Sequence, residues 1–145
     1  MLLSLARQRD AGKLMGRIRV LLADDHQAIL QRVCGLLGDD FEIVGTVNNG
    51  RDAVATALRL HPDVLVMDIS MPILNGLQAA VALSSAKQQT KVVFLTVHTD
   101  QYFVKAALSA GASGYVTKED VATDLVPAIY DALAGRIFVS NSIRT

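Results

Sequence analysis

The sequence predicts an α/β fold: a doubly wound, five-stranded parallel sheet with helices on both faces. Short apolar runs of strand length alternate with segments whose apolar residues recur at helical spacing. The runs are nearly continuous in Val, Leu, Ile and Phe, as strands covered on both sides require. Four of the five runs also end in a polar residue, and ligands of such folds bind outside the carboxyl ends of the strands.

Strands are expected at 17–23, 41–47, 63–67, 91–96 and 113–117. Between them, helical patterns fall at 26–37, 51–60, 76–86 and 100–109. In the first helix Ile29, Leu30, Val33, Leu36 and Leu37 form the apolar stripe, and Cys34 within it reads as a buried structural thiol. His61-Pro62 ends the second helix. The third strand, Val64-Leu65-Val66-Met67, closes on Asp68 and is followed by the turn signals Pro72 and Asn75-Gly76. Tyr102 and Phe103 open a helix that otherwise buries Val104, Ala107 and Leu108, and the pattern is as consistent with an exposed ring open to a partner as with core packing of both. The last helix has Val121, Leu125, Ile129 and Leu133 at helical spacing, with Pro127 among them. An interior proline costs about 3 kcal/mol, whereas one in the first turn loses nothing. Taking Asp124 as N-cap resolves the conflict and predicts a short helix over 125–134, ended by Gly135. Ile137-Phe138-Val139 then reads as an extended exit.

The bulk composition narrows the function classes. A chain of 145 residues is one domain's worth and buries roughly 70% of its unfolded surface. Fourteen basic residues balance fourteen acidic ones at a pI near 6.8, so this segment lacks the basic footprint of a nucleic-acid binder. One cysteine excludes an internal disulfide and fits a reducing compartment. No stretch has the length of a membrane span. The opening Met1-Leu2-Leu3-Ser4-Leu5-Ala6-Arg7 is too short for a secretory signal, and Met15-Gly16 offers an alternative start. A cytoplasmic protein is expected, with residues 1–16 as a leader.

The polar residues at the strand ends are Asp24-Asp25, Asp68, Thr96 and Lys118. Singly, each has an ordinary reading: a helix cap, a turn opener, a strand threonine, a solvated lysine. Together they describe one chemistry. Asp68 can attack phosphorus as a nucleophile. The carboxylates supply hard oxygen ligands for Mg²⁺, which neutralises phosphoryl charge. Lys118 brings a fixed positive charge, and the Thr96 hydroxyl can donate to a phosphoryl oxygen. His26 adjoins the acid pair, but with no second histidine at ligand spacing it reads as a solvated residue at a helix start. Gly111-Ala112-Ser113-Gly114 lies on the wrong side of its strand for a phosphate cradle.

Val20-Leu21-Leu22-Ala23-Asp24-Asp25-His26, Met67-Asp68-Ile69-Ser70-Met71-Pro72, Leu95-Thr96 and Gly111-Ala112-Ser113-Gly114-Tyr115-Val116-Thr117-Lys118 resemble the receiver domain of bacterial two-component response regulators. The likeness covers about 17–139 in order, leaving 140–145 as the start of a linker or tail. Ala-Asp-Asp-His, Gly-Ala-Ser-Gly-Tyr and Ala134-Gly135-Arg136 resemble the NarL/FixJ branch in particular. The resemblance implies a flavodoxin/CheY-like sheet in the order 2-1-3-4-5. It further implies Asp68 as phosphoacceptor, a sensor histidine kinase as donor, and Mg²⁺ held by Asp25, Asp68 and the Ser70 backbone carbonyl, with Asp24 acting through water. Thr96 and Tyr115 match the switch pair, whose hydroxyl moves toward the phosphoryl group while the ring turns inward. A homodimer, and DNA binding through a C-terminal helix-turn-helix domain absent from this chain, are implied in the same way. Such a protein is a signalling switch that phosphorylates and slowly dephosphorylates itself, not a metabolic enzyme.

Three positions depart from the common pattern. Glu119 follows Lys118 where many receivers have proline, Val97 follows Thr96 and is expected to crowd phosphate entry, and Ser70 and His98 sit where phosphate lifetime is tuned. Two rivals remain. A haloacid-dehalogenase-type phosphatase needs an acid two residues after its nucleophile, where this chain has Ser70. A degenerate receiver would act as a phosphorylation-independent interaction module.

Overall fold

In the computed structural model, which describes residues 16–143, strands and helices alternate as the apolar pattern requires. The strands are β1 (Ile18–Ala23), β2 (Phe41–Val47), β3 (Val64–Met67), β4 (Lys91–Thr96), β5 (Gly114–Thr117) and β6 (Phe138–Val139). The helices are α1 (Gln27–Leu36), α2 (Gly50–Leu60), α3 (Gly76–Ser85), α4 (Gln101–Ser109) and α5 (Val121–Leu133). All strand pairs are parallel, in the order β2-β1-β3-β4-β5-β6. The first five keep the expected 2-1-3-4-5 arrangement. The sheet has six strands, however, because the exit segment turns back beside β5 and pairs Phe138 with Gly114 and Val139 with Tyr115.

Alternation along each strand divides the apolar residues between two cores. Leu21, Leu65, Met67, Phe94 and Tyr115 face one side, against Ala53 and Ala57 of α2, Ala79 and Leu83 of α3, and Val104 and Ala107 of α4. Val20, Leu22, Val64, Val66, Val93, Leu95 and Val116 face the other, against Leu30 and Val33 of α1 and Leu125 and Ile129 of α5. A strand buried on both faces needs apolar residues at every position, which is why these runs carry no polar alternation.

Two expectations about the helices are corrected. Asp124 is not an N-cap: α5 starts at Val121, after a 3₁₀ turn over Lys118–Asp120, and keeps Pro127 in its interior. Extending the helix buries Val121 and Leu125 in line with Ala128, Ile129 and Ala132. Pro127 and Thr123, whose carbonyl loses the N–H of residue 127 as partner, lie on the exposed side, where water can serve that carbonyl. Burial of an apolar stripe therefore outweighs the missing bond. Gly135 ends the segment with φ of 82°, the left-handed conformation that suits glycine. Cys34 is exposed, on the outer side of α1, while the neighbouring Val33 is buried. The leader expected over 1–16 lies, but for Gly16, outside the described residues.

The connection from β3 to α3 is held by Gly76. Its N–H donates to the Ile69 carbonyl at 2.7 Å, and a Cβ there would stand 2.2 Å from the Asp68 carbonyl oxygen. Asn75 caps α3 in a reciprocal box, accepting from the Gln78 amide at 2.8 Å while the Gln78 side chain accepts from the Asn75 amide at 3.0 Å. The helix thereby starts against the backbone of Asp68. Gly35, within α1, has nothing within 4 Å of an added Cβ. Gly76→Ala is expected to lose about 1–3 kcal/mol through overpacking, whereas Gly35→Ala gains about 0.5–1 kcal/mol by restricting the unfolded chain. Urea unfolding of the two variants checks the pair, and equal effects would contradict the packing at Gly76.

Candidate functional site

Strand register brings the chemistry together. Ala23 pairs with Met67, Met67 with Phe94, and Thr96 with Thr117, so β1, β3, β4 and β5 end at nearly one level. Each next residue then opens toward the same end of the sheet: Asp24, Asp68, Val97 and Lys118. The Asp68 amide donates to the Ala23 carbonyl at 2.9 Å and the Asp24 amide to the Val47 carbonyl at 3.0 Å, which fixes both acids to the ends of the ladder.

Asp24 and Asp68 are both buried, each only 3% exposed, and one ammonium holds them together. Lys118 Nζ lies 2.9 Å from Asp24 Oδ2 and 3.1 Å from Asp68 Oδ2. Asp68 Oδ1 accepts the Ile69 amide at 2.7 Å. Asp24 Oδ1 accepts the His26 amide at 2.8 Å and lies 3.0 Å from His26 Nδ1. Asp25 stands at the rim, exposed, with Oδ1 3.2 Å from the same ring nitrogen. His26 is thus largely exposed, as expected of a helix-start residue, yet its ring bridges the acid pair.

Burial raises the Asp68 carboxyl above the ordinary acid range; the Lys118 charge opposes this and the nearby Asp24 reinforces it. Burial presses the Lys118 ammonium down, but its bond to Asp24 and the charges of Asp68 and Asp24 prevail and raise it. Tyr115 is raised by burial, and by the charges of Asp100 and Asp68. Lys118 is therefore firmly cationic at neutral pH.

Thr96 and Tyr115 do not touch Asp68 through any hydrogen bond; they meet at His98. The His98 amide donates to Thr96 Oγ1 at 3.2 Å, and the Tyr115 hydroxyl donates to the His98 carbonyl at 2.8 Å. The His98 ring stacks on Phe103 with centroids 4.1 Å apart, and its Nε2 is 3.0 Å from Ser70 Oγ. Tyr115 is fully buried, with its ring already inward. The sequence marked His98 as a tuning position but gave no sign that it links Ser70, Thr96 and Tyr115. Phe103, five residues on, was the only trace. Val97 is 66% exposed and stands in solvent, as does Tyr102 at 71%.

Asp24, Asp25, His26 and Asp68 each present a ligand atom within 4.8 Å of the others. Three carboxylates against one ammonium leave a net negative set of hard oxygens, a donor set that fits a divalent cation such as Mg²⁺. A cleft lined by Asp25, Ser70, Met71, Pro72, His98 and Phe103 opens beside it. Among the described residues, no helix is long and apolar enough to cross a membrane.

The chain matches the family described as response regulator receiver domain over residues 20–130. It is 36% identical over 128 residues to the response regulator GacA of Pseudomonas viridiflava, covering 87% of this chain and 60% of that protein. It is 33% identical over 128 residues to the response regulator UvrY of Escherichia coli, with 87% and 59% covered. The chain thus spans about 60% of the length of these curated relatives. Among solved structures, the signal receiver domain of the NarL response regulator from Mycobacterium tuberculosis superposes with a TM-score of 0.80 at 31% identity, over 83% of this chain and 99% of that one. A LuxR-family two-component response regulator from Aurantimonas superposes with a TM-score of 0.83 at 30% identity, over 88% and 93%. A buried acid pair bridged by one lysine at the strand ends and a matching sequence over most of the sheet lead to one conclusion: the chain belongs to the response regulator receiver domain family, on its NarL/LuxR-type branch.

Proposed function

We propose that this chain is a phosphorylation switch in which Asp68 accepts a phosphoryl group from a sensor histidine kinase. The observation that carries the reading is the Asp24–Lys118–Asp68 bridge, with contacts of 2.9 and 3.1 Å from the partly buried lysine to two buried carboxylates. An Asp68 oxygen attacks phosphorus, the bond from phosphorus to the donor's imidazole nitrogen breaks, and the imidazole leaves with the electron pair. Lys118 supplies positive charge where phosphoryl oxygens gather around Asp68, and the Ile69 amide holds the carboxylate oriented. Asp25, Asp68 and the Ser70 carbonyl would hold Mg²⁺ directly and Asp24 through water; the bound cation supplies neutralisation of the phosphoryl charge. Water attack on phosphorus later releases phosphate and restores Asp68.

The inward Tyr115 and the Thr96 hydroxyl, joined through His98, act as the readout. A phosphoryl oxygen that accepts a hydrogen bond from the Thr96 hydroxyl favours the arrangement already linked to Tyr115, and a 100-fold bias needs about 2.7 kcal/mol. Residues 17–139 form the receiver unit, 1–16 a leader and 140–145 the start of a linker or tail, and output passes to a DNA-binding domain that controls transcription. Homodimerisation accompanies that output, and the protein works in the cytoplasm. With Val97 in solvent and the bridge intact, a phosphorylation-independent module is the weaker reading.

Three outcomes test these roles. Incubation with Mg²⁺ and acetyl phosphate should give one phosphoryl adduct by intact mass on wild type and none on Asp68→Asn; no adduct on folded wild type would return weight to the degenerate module. Lys118→Met should slow adduct formation by about 10²–10³-fold, the scale of one lost electrostatic contact at a reacting oxyanion, and chelation of the metal should abolish it. The third concerns stability without added divalent cation. A raised Asp68 carboxyl stabilises the fold only below its unfolded value near 3.9 and loses that contribution as pH rises through the higher folded value. Asp68→Asn should therefore be more stable than wild type by about 1 kcal/mol at pH 7.5, with a smaller gain at pH 4.5. Thermal melts at the two pH values decide it, and a variant less stable at pH 7.5 would contradict the sign.

A further inference from the structure

The residues that position Lys118 do not all lie within the stretch that the receiver family defines. That match ends at residue 130, yet the segment after α5 returns to the end of β5 and bonds there repeatedly. The Phe138 amide donates to the Ser113 carbonyl at 3.3 Å and the Ser140 amide to the Tyr115 carbonyl at 2.9 Å, continuing the pairing of β6 on β5. Pairing then stops, because β6 is two residues long. The next amide of β5 facing that side is Thr117, one residue before Lys118, buried with no strand left to accept it.

Ser140 fills the gap. Its Oγ accepts the Thr117 amide at 3.2 Å and donates its own proton to Asp124 Oδ2 of α5 at 2.7 Å. The side chain is buried, at 2% exposure, so water does not replace it. A second bond supports the same residue. The Thr117 hydroxyl donates to Asp120 Oδ2 at 2.9 Å and so accepts from Ser142 Oγ at 3.0 Å. The turn carrying Lys118 is therefore pinned from the carboxyl-terminal segment at Thr117, and from α5 through Asp124. The same segment is bonded to the carbonyl of Tyr115, while Val139 packs in the core that holds its ring.

We propose that Ser140 is a positioning residue of the acceptor site: by holding Thr117 it holds the end of β5 from which Lys118 reaches Asp68, so the site and the segment leaving the receiver are one coupled unit. The inference rests on Asp68 being the phosphoacceptor. Lys118 faces phosphoryl oxygens, whereas the cation is held by carboxylates, so loss of Ser140 acts on one ligand and spares the other. Coupling is also reciprocal: what fills the site must tighten the segment.

The test titrates the wild-type chain and Ser140→Ala with Mg²⁺ alone, and with beryllofluoride, a phosphoryl mimic, at saturating Mg²⁺. The expected result is beryllofluoride binding weaker by about tenfold, the scale of one lost buried hydrogen bond near charge, with Mg²⁺ affinity within about twofold. Unchanged beryllofluoride affinity, or equal loss for both ligands, overturns the proposal, the second because it reports general loosening. If wild type binds no beryllofluoride, the phosphoacceptor reading itself fails and this one with it. Amide exchange on wild type gives an answer even where the variant does not fold. Protection of the Ser140 amide should rise when beryllofluoride and Mg²⁺ are added, and unchanged protection overturns the coupling.

Discussion

The molecule is organised around a cost: two buried carboxylates that repel one another, tied by a single lysine. Asp24 and Asp68 end adjacent strands, and both are buried from water. Lys118 reaches both from the far side of β4. Taking the lysine out would cost more than the network contributes, because two buried carboxylates would be left uncompensated. In the order β1-β3-β4-β5 the ends of three strands bring these side chains together at one edge of the sheet. The surrounding backbone is tight for the same reason. Gly76 brings α3 against the Asp68 carbonyl, and the Ile69 amide is spent on the carboxylate.

Much of this arrangement could be read from the residues in order. Continuous apolar runs marked strands covered on two faces, and a polar residue closing four of the five runs marked the sheet end where chemistry gathers. Strand and helix boundaries were off by only a residue, because the periodicity is strong, except that the last helix starts at Val121 and not at 125. Local rules failed where a tertiary effect overrode them. Pro127 argued for a short helix, yet the burial of Val121 and Leu125 stabilises the longer one by more than the proline costs. Cys34 has helical neighbours that are buried, but it sits just off their stripe and faces out.

Long-range side-chain contacts were the least legible. His98 links Ser70, Thr96, Tyr115 and Phe103, which come from three strand ends and a helix. Ser140 lies in the stretch read only as the start of a linker or tail, and its role depends on where pairing with β5 stops. Neither follows from propensity or periodicity, since each depends on which chain ends lie side by side. Such contacts also join the acid site to the rest of the molecule, so the part hardest to read in the sequence is the part that would carry a signal.

The sixth strand also makes the two borders of the sheet unlike. On one side β6 offers only two residues of backbone, too short to template an added strand. On the other, β2 runs for seven residues, Phe41–Val47, and among the described residues pairs only with β1. Unwanted strand-to-strand association between copies is therefore confined to the β2 border. There Gly45 weakens the strand, and Glu42 places a negative charge on the border itself. A return segment of a few residues thus leaves the protein with one border to guard against aggregation instead of two.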